Sequence, residues 1–358
     1  MMIRKLFATA LVLSTTLSLS SASFAQTTKQ SEKEGTSSTG NIQAAHERPK
    51  LAIALGGGGT RGAAHIGVLR VLEQSGVKPD IVVGNSMGSI IGSLYCAGVP
   101  LDKIEELVVD GRLRKAYAPV PIPVQLMKKA GGKMLNPFGK KKQPGFYDGQ
   151  GLADFINDNV PEDKRTIESL SPTFAAVVTN LLDGKAYRLT QGDLGRAVRA
   201  SATLPPILRA VEIDGNVYAD GGIRANMPTY PARAMGADLV IAVDVNEPLK
   251  KLEPKDLMSI SKTGNRMTSI MLAVADELHL KIADVIINPK VTGIGLLSKD
   301  KADFHKAVKE GEKAALEAVP EIKRQIANYG LTAHKAPVKS ISEKVTVTQT
   351  SEPTTTDE

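Results

Sequence analysis

Three short stretches of this 358-residue chain hold side chains that could make and break a covalent bond. Gly84-Asn85-Ser86-Met87-Gly88 has the pattern G-x-S-x-G. A serine on a sharp turn from strand to helix presents its hydroxyl as a nucleophile, and flanking glycines remove side chains that would clash in that turn. Gly57-x-Gly59-x-x-Gly62 sits in the run Gly56-Gly57-Gly58-Gly59-Thr60-Arg61-Gly62. Such a loop points N–H groups at a negative oxygen, and a helix following it adds its positive end. Ala219-Asp220-Gly221-Gly222 sets a carboxylate between an extended run and two glycines. Alone that motif fits a turn. It gains meaning only beside the other two.

Other chemistries fit the same residues less well. A nucleotide could occupy the glycine loop, but Gly62 is followed by Ala63 and Ala64 rather than the Lys-Ser/Thr of a phosphate-binding loop. A dinucleotide fold wants an acid at the end of the second strand, and Asp80 precedes that strand. A Ser-His-Asp triad wants a late histidine on a loop. His46, His65, His279, His305 and His334 are the only histidines, and none fits that position. Each reads as a satisfied or solvated side chain. The single cysteine, Cys96, excludes a disulfide framework and multi-thiolate metal sites. No loop clusters carboxylates at calcium-ligand spacing, so no metal and no cofactor is expected.

The elements that must hold these residues alternate. Residues 51–55, 81–83, 175–178, 239–243 and 283–287 are short apolar runs that read as buried strands. Ile66, Val68, Leu69 and Leu72, then Ile90, Ile91, Leu94 and Tyr95, recur at helical spacing between them. Strands without polar alternation, separated by helices, imply a parallel or mixed sheet covered on both faces. Asp183-Gly184 and Asp214-Gly215 look like hairpin turns. Cys96 falls on the apolar side of the second helix, as core packing.

With 42% apolar residues the chain can bury a core, and a mean hydropathy of −0.09 argues against a polytopic membrane protein. The net charge of +7 suggests an anionic partner, a phospholipid surface or nucleic acid. An aromatic content of 4% with no tryptophan weighs against single-stranded nucleic acid, which needs stacking platforms. Residues 1–25 read as a signal peptide. Arg4 and Lys5 precede an apolar stretch over 6–19, and Ser23-Phe24-Ala25 forms a small-x-small cleavage site. Export to the periplasm or beyond is therefore expected. Cleavage would remove two cations and lower the charge from +7 to +5. Residues 26–48 read as a flexible linker, 49–330 as the folded domain and 331–358 as a disordered tail. Within the domain, 111–148 is a Pro-, Gly- and Lys-rich insertion. It reads as a solvated loop, or as a lid or docking loop for an anionic membrane surface.

Together the glycine loop with Arg61, the serine elbow and Asp-Gly-Gly resemble the patatin-like phospholipase family, in the bacterial branch similar to neuropathy target esterase. Arg199-Ala200-Ser201-Ala202-Thr203-Leu204-Pro205-Pro206 resembles the family segment ahead of the aspartate, and 236–244 resembles the strand after it. The resemblance spans roughly 50–330. It implies a single α/β domain with a mostly parallel central sheet flanked by helices. It further implies a Ser–Asp dyad without histidine, with Ser86 as nucleophile and Asp220 as base. Gly57, Gly58, Gly59, Arg61 and Gly62 would form the oxyanion segment, with Gly84, Gly88, Gly221 and Gly222 supporting the motifs. The implied substrate is a phospholipid or lysophospholipid. The rivals are a catalytically silent lipid-binding protein on the same fold and a nucleotide-dependent protein.

Overall fold

The computed structural model describes residues 48–118, 144–205 and 207–332. The expected signal peptide, nearly all of the linker and tail, and 119–143 of the basic insertion lie outside the described residues.

Strand β1 (Leu51–Leu55) is buried along its whole length and lies at the middle of the sheet. It pairs in parallel with β2 (Ile81–Gly84) on one side and β7 (Leu239–Val243) on the other. Beyond β7 lies β8 (Val285–Ile287), also parallel. Beyond β2 lies β3 (Thr173–Asn180), parallel over its first half. From there the sheet turns antiparallel. Both β4 (Ala186–Leu189) and β6 (Asn216–Asp220) run against β3, and β5 (Val211–Ile213) closes the edge against β6. The expected mixed, mostly parallel sheet is present, and its antiparallel end is the part that carries the aspartate. Both expected hairpins form. In the second, Asp214 and Gly215 each have positive φ (49° and 75°), which suits a two-residue turn between twisted strands.

Alternation along β1 divides the core. Leu51, Ile53 and Leu55 pack with α1 (Ala64–Gln74), α2 (Met87–Cys96) and α3 (Leu101–Val109). Ala52 and Ala54 face the opposite, small-residue layer with Ala175, Ala232 and Ala242. Cys96 is buried in the first layer, and burial pushes its thiol pKa up, so it packs as expected. A short helix α4 (Arg112–Tyr117) and α5 (Gln150–Asp158) bracket the undescribed part of the insertion. Here the sequence reading needs correction. The ends of the 111–148 segment are not solvated loop, because Leu113 and Tyr147 are each 5% exposed and belong to the core. Four helices complete the chain before its last one: α6 (Leu194–Ser201), α7 (Gly222–Ala225), α8 (Thr229–Ala234) and α9 (Ile260–Leu280). The 32-residue α10 (Lys301–Thr332) packs along α1.

Candidate active site

Strand register brings the three motifs together. Leu55 pairs with Gly84, so the glycine loop and Ser86 leave the sheet side by side at the same end. Gly84 also pairs with Ala176, and two residues further along β3 Val178 pairs with Asp220. Asp220 therefore arrives at the level of Ser86 from the antiparallel side.

Ser86 has φ 51° and ψ −119°, a strained conformation for a residue with a side chain, and it forms the N-cap of α2. The flanking glycines make that turn sterically feasible. A Cβ on Gly84 would lie 2.4 Å from the Gly88 carbonyl oxygen, and one on Gly88 would lie 2.2 Å from that of Leu55. The Ser86 N–H donates to the buried Ser201 hydroxyl at 3.1 Å, so α6 braces the elbow from behind.

The glycine loop crosses directly over the serine. A Cβ on Gly57 would come within 3.2 Å of Ser86 Cβ and 2.5 Å of Asn226 Oδ1. Most donors of the loop are already used. Gly57 N–H donates to the Asn226 carbonyl (3.3 Å), Thr60 N–H to that of Leu296 (2.9 Å) and Arg61 N–H to that of Gly58 (3.1 Å). The N–H groups of Gly58 and Gly59 have no acceptor among the described residues. The open donors of the segment thus narrow to these two. Gly62 packs against Met87 at the start of α2. The Arg61 side chain is a strut. It is buried, with Nε donating to the Ile294 carbonyl (2.7 Å) and its terminal nitrogen to Glu247 (2.9 Å).

Asp220 is 7% exposed, and burial raises its carboxyl pKa to about 6. Interactions with the Gly222 N–H (2.8 Å to Oδ1), the Ser86 hydroxyl and the Asn85 amide pull it back toward the charged form. The result is a carboxylate that is ionised at neutral pH and still a better base than one in water. Gly221 sits where a Cβ would lie 2.6 Å from Asn85 Oδ1. No histidine joins this pair among the described residues. His65 is fully buried with Nε2 2.7 Å from the Gly56 carbonyl, and burial lowers its pKa to about 4. It anchors the glycine loop as a neutral ring through Nε2, but its buried Nδ1 has no partner among the described residues, so the reading of a satisfied histidine holds for one ring nitrogen only.

Behind the pair runs a buried polar chain that the motifs do not reveal. Asn85 Nδ2 donates to Asn226 Oδ1 (3.0 Å), and Asn226 Nδ2 donates to Asp276 Oδ2 (2.8 Å) and to the Gly57 carbonyl (3.4 Å). Asp276 also accepts from the Met227 N–H and from Asn246 Nδ2, each at 2.5 Å. It is 1% exposed, and burial with the nearby Asp244 charge raises its pKa to about 6. Asn85 and Asn226 lie inside or just after recognisable motifs. Asp276 carries no such signal, since it is one of two adjacent acids, Asp276-Glu277, near the end of a helix. Tyr117, at the end of α4, is also close enough to Asp220 for that charge to raise its pKa, and it bonds the Leu204 backbone. The base of the insertion therefore reaches the site. Among the described residues no group of three or more His, Cys, Asp or Glu side chains could hold a metal ion.

The family model for patatin-like phospholipases matches residues 53–233, which include both Ser86 and Asp220 but not Asp276. An uncharacterized NTE family protein from Mycobacterium tuberculosis is 32% identical over 231 residues, 63% of this chain and 59% of that protein. Patatin-like phospholipase domain-containing protein 6 from Homo sapiens is 36% identical over 201 residues, 54% of this chain and 13% of that protein. The chain thus spans less than two thirds of either relative. The crystal structure of VipD from Legionella pneumophila overlaps 77% of this chain and 67% of its own, at 16% identity and a TM-score of 0.42.

Proposed function

The chain belongs to the patatin-like phospholipase family, and from that premise we propose that it is a serine lipid acyl hydrolase working through a Ser86–Asp220 dyad. The observation that carries the reading is the pairing of a strained, elbow-mounted Ser86 with a buried Asp220 whose pKa stands near 6.

The Asp220 carboxylate takes the Ser86 hydroxyl proton as the oxygen attacks the ester carbonyl of a phospholipid or lysophospholipid. Negative charge develops on the former carbonyl oxygen. The Gly58 and Gly59 N–H groups are the donors available to receive it, and α2 begins immediately after the nucleophile. Collapse expels the alcohol, which leaves with the proton held by Asp220. Water then gives a proton to Asp220 and attacks the acyl-serine, releasing the fatty acid and restoring the hydroxyl. The strut through Arg61 and the chain through Asn226 hold the loop so that its donors need no rearrangement during the reaction.

A fluorophosphonate probe with a panel of phospholipids, lysophospholipids and neutral esters tests this. Wild-type protein is expected to label and to release fatty acid. Ser86→Ala should do neither, and Asp220→Asn should lose about 10²–10⁴-fold in kcat. Undiminished hydrolysis by Ser86→Ala would overturn the assignment, and a wild type that neither labels nor turns over would favour a silent lipid-binding protein.

A further inference from the structure

Helix α9 is sorted the wrong way round for a helix that only covers a core. Its buried side chains include Asp276 and His279. Its exposed ones include Met267 (60%), Ile270 (42%), Met271 (58%), Val274 (69%) and Leu278 (59%). At the α-helical angle of about 100° per residue these five occupy one stripe roughly 100° wide. In a water-soluble helix that stripe normally faces the core. Here it faces outward, and Met258 just before the helix is 82% exposed.

The stripe lies at the catalytic end of the sheet. β7 is parallel to β1, so the chain leaves β7 at the end where Ser86 sits, and α9 then returns it to the start of β8. Asp276 meets Asn226 and Met227 beside the glycine loop. The helix begins sixteen residues before Asp276, about 24 Å of helix at 1.5 Å per residue. α9 packs against α7, the helix directly after Asp220, where Ile223 is 40% exposed.

The charges around the stripe choose its occupant. Between residues 249 and 281 there are six cations, Lys250, Lys251, Lys255, Lys262, Arg266 and Lys281, and four acids, Glu253, Asp256, the buried Asp276 and Glu277, which pairs with Lys281. Glu253 and Asp256 cap a helical turn together, Glu277 is offset by Lys281, and 257–275, where most of the stripe lies, contains no acid. A second copy docked symmetrically on this face would set like charges against each other. No helix among the described residues is long and apolar enough to cross a membrane, so the stripe would lie in a surface rather than span it.

We propose that the outward face of α9 is the surface by which this protein docks on an anionic phospholipid bilayer, the stripe among the acyl chains and the cations among the headgroups. Docking there brings the bilayer to the end of the sheet where the dyad opens. The inference rests on the lipid-hydrolase reading of the site, but its readout is binding and does not need turnover.

The test uses full-length Ser86→Ala, so that vesicles stay intact, with and without Met267→Ser, Met271→Ser and Val274→Ser together. Vesicles are phosphatidylcholine alone or equimolar phosphatidylcholine and phosphatidylglycerol. The parent is expected to sediment with the anionic vesicles, and the triple variant to bind more than about tenfold more weakly. Phosphatidylcholine alone should bind the parent less well. Because the chain has no tryptophan, Met271→Trp adds a direct reporter, whose emission should shift to the blue and resist quenching when anionic vesicles are added. Equal vesicle binding by the triple variant, or an unshifted Met271→Trp spectrum, overturns the proposal. So does a triple variant that changes the oligomeric mass while vesicle binding persists. In the Ser86→Ala background, the triple substitution should leave the melting temperature unchanged. With Ser86 present, it should leave hydrolysis of a soluble short-chain ester unchanged. A wild type that docks but hydrolyses no ester defeats the enzyme reading and leaves this one standing.

Discussion

Helix α2, capped by Ser86, buries Ile90, Ile91, Leu94 and Cys96, whereas α9 buries Asp276 and His279 and turns Met267, Met271 and Val274 to solvent. Both helices touch the candidate site, but they are held by different forces. The place of α2 is fixed by apolar packing against β1 and β3, and Ser86 at its N-cap inherits that rigidity. The place of α9 is fixed largely by directed hydrogen bonds that Asp276 accepts from Asn226 and the Met227 N–H and by the Thr229 hydroxyl, which donates to the His279 carbonyl. Hydrogen bonds position a helix without consuming its apolar side. That side remains available for a second phase outside the protein.

The comparison breaks most sharply at the glycine loop that spans both systems. Gly57→Ala puts a methyl group 2.5 Å from Asn226 Oδ1, on the α9 chain, and 3.2 Å from Ser86 Cβ, on α2. Asn226 or the loop must move, and the Gly58 and Gly59 donors move with it. We expect kcat/KM to fall about 10²–10³-fold, the cost of losing an oxyanion donor. Near-normal turnover would show that the loop does not serve the transition state.

Two substitutions then separate the forces by stability. Ile91→Ala in α2 empties a fully buried position and should cost about 2–5 kcal/mol in denaturant unfolding. Asp276→Asn in α9 keeps the volume but turns an amide donor toward the donors of Asn226, Met227 or Asn246. Its expected cost is about 1–3 kcal/mol. It should also lower kcat, because Asn226 accepts from and donates to Gly57. An Asp276→Asn variant that loses stability with kcat intact would make the chain a fastening only.

The pH dependence reads Asp220 directly. Its carboxyl pKa is raised by burial to about 6, so below that pH the group becomes a neutral acid and cannot accept the Ser86 proton. The rate kcat/KM on a soluble ester should fall about tenfold per unit as pH drops below about 6. His65, held near 4, stays neutral across most of that range and adds no second step near 6.5. A profile that breaks at 6.5 and disappears in a histidine variant would point to a different base.

What the sequence disclosed and what it withheld follows from distance along the chain. Ser86, the glycine loop and Asp220 are each local: a strand end, a turn and glycines within a few residues. The parallel strands are legible for the same reason, as uninterrupted apolar runs. Asp276 is fifty residues from its partner Asn226, and Ala275, Glu277 and Leu278 around it suggest a helix like any other. Only the fold shows that the polar side of α9 faces inward. The basic segment misleads in the opposite sense. Its lysines dominate the composition, while apolar residues at its described ends, among them Leu113, Tyr117, Phe146 and Tyr147, pack on the core without any sequence signal.

The smallest expected effect is also the one that isolates α9 most cleanly. Val274 is 69% exposed, so replacing it by alanine removes little area from contact with protein. In an ordinary amphipathic helix a valine in the apolar stripe would cost about 1 kcal/mol or more when truncated. Here Val274→Ala should change stability by less than about 0.5 kcal/mol, and the better helix propensity of alanine offsets part of even that. Ile91→Ala in α2, measured in the same denaturant series, supplies the scale. If Val274→Ala costs as much as Ile91→Ala, the stripe is covered by protein in solution, and the contrast between the two helices disappears.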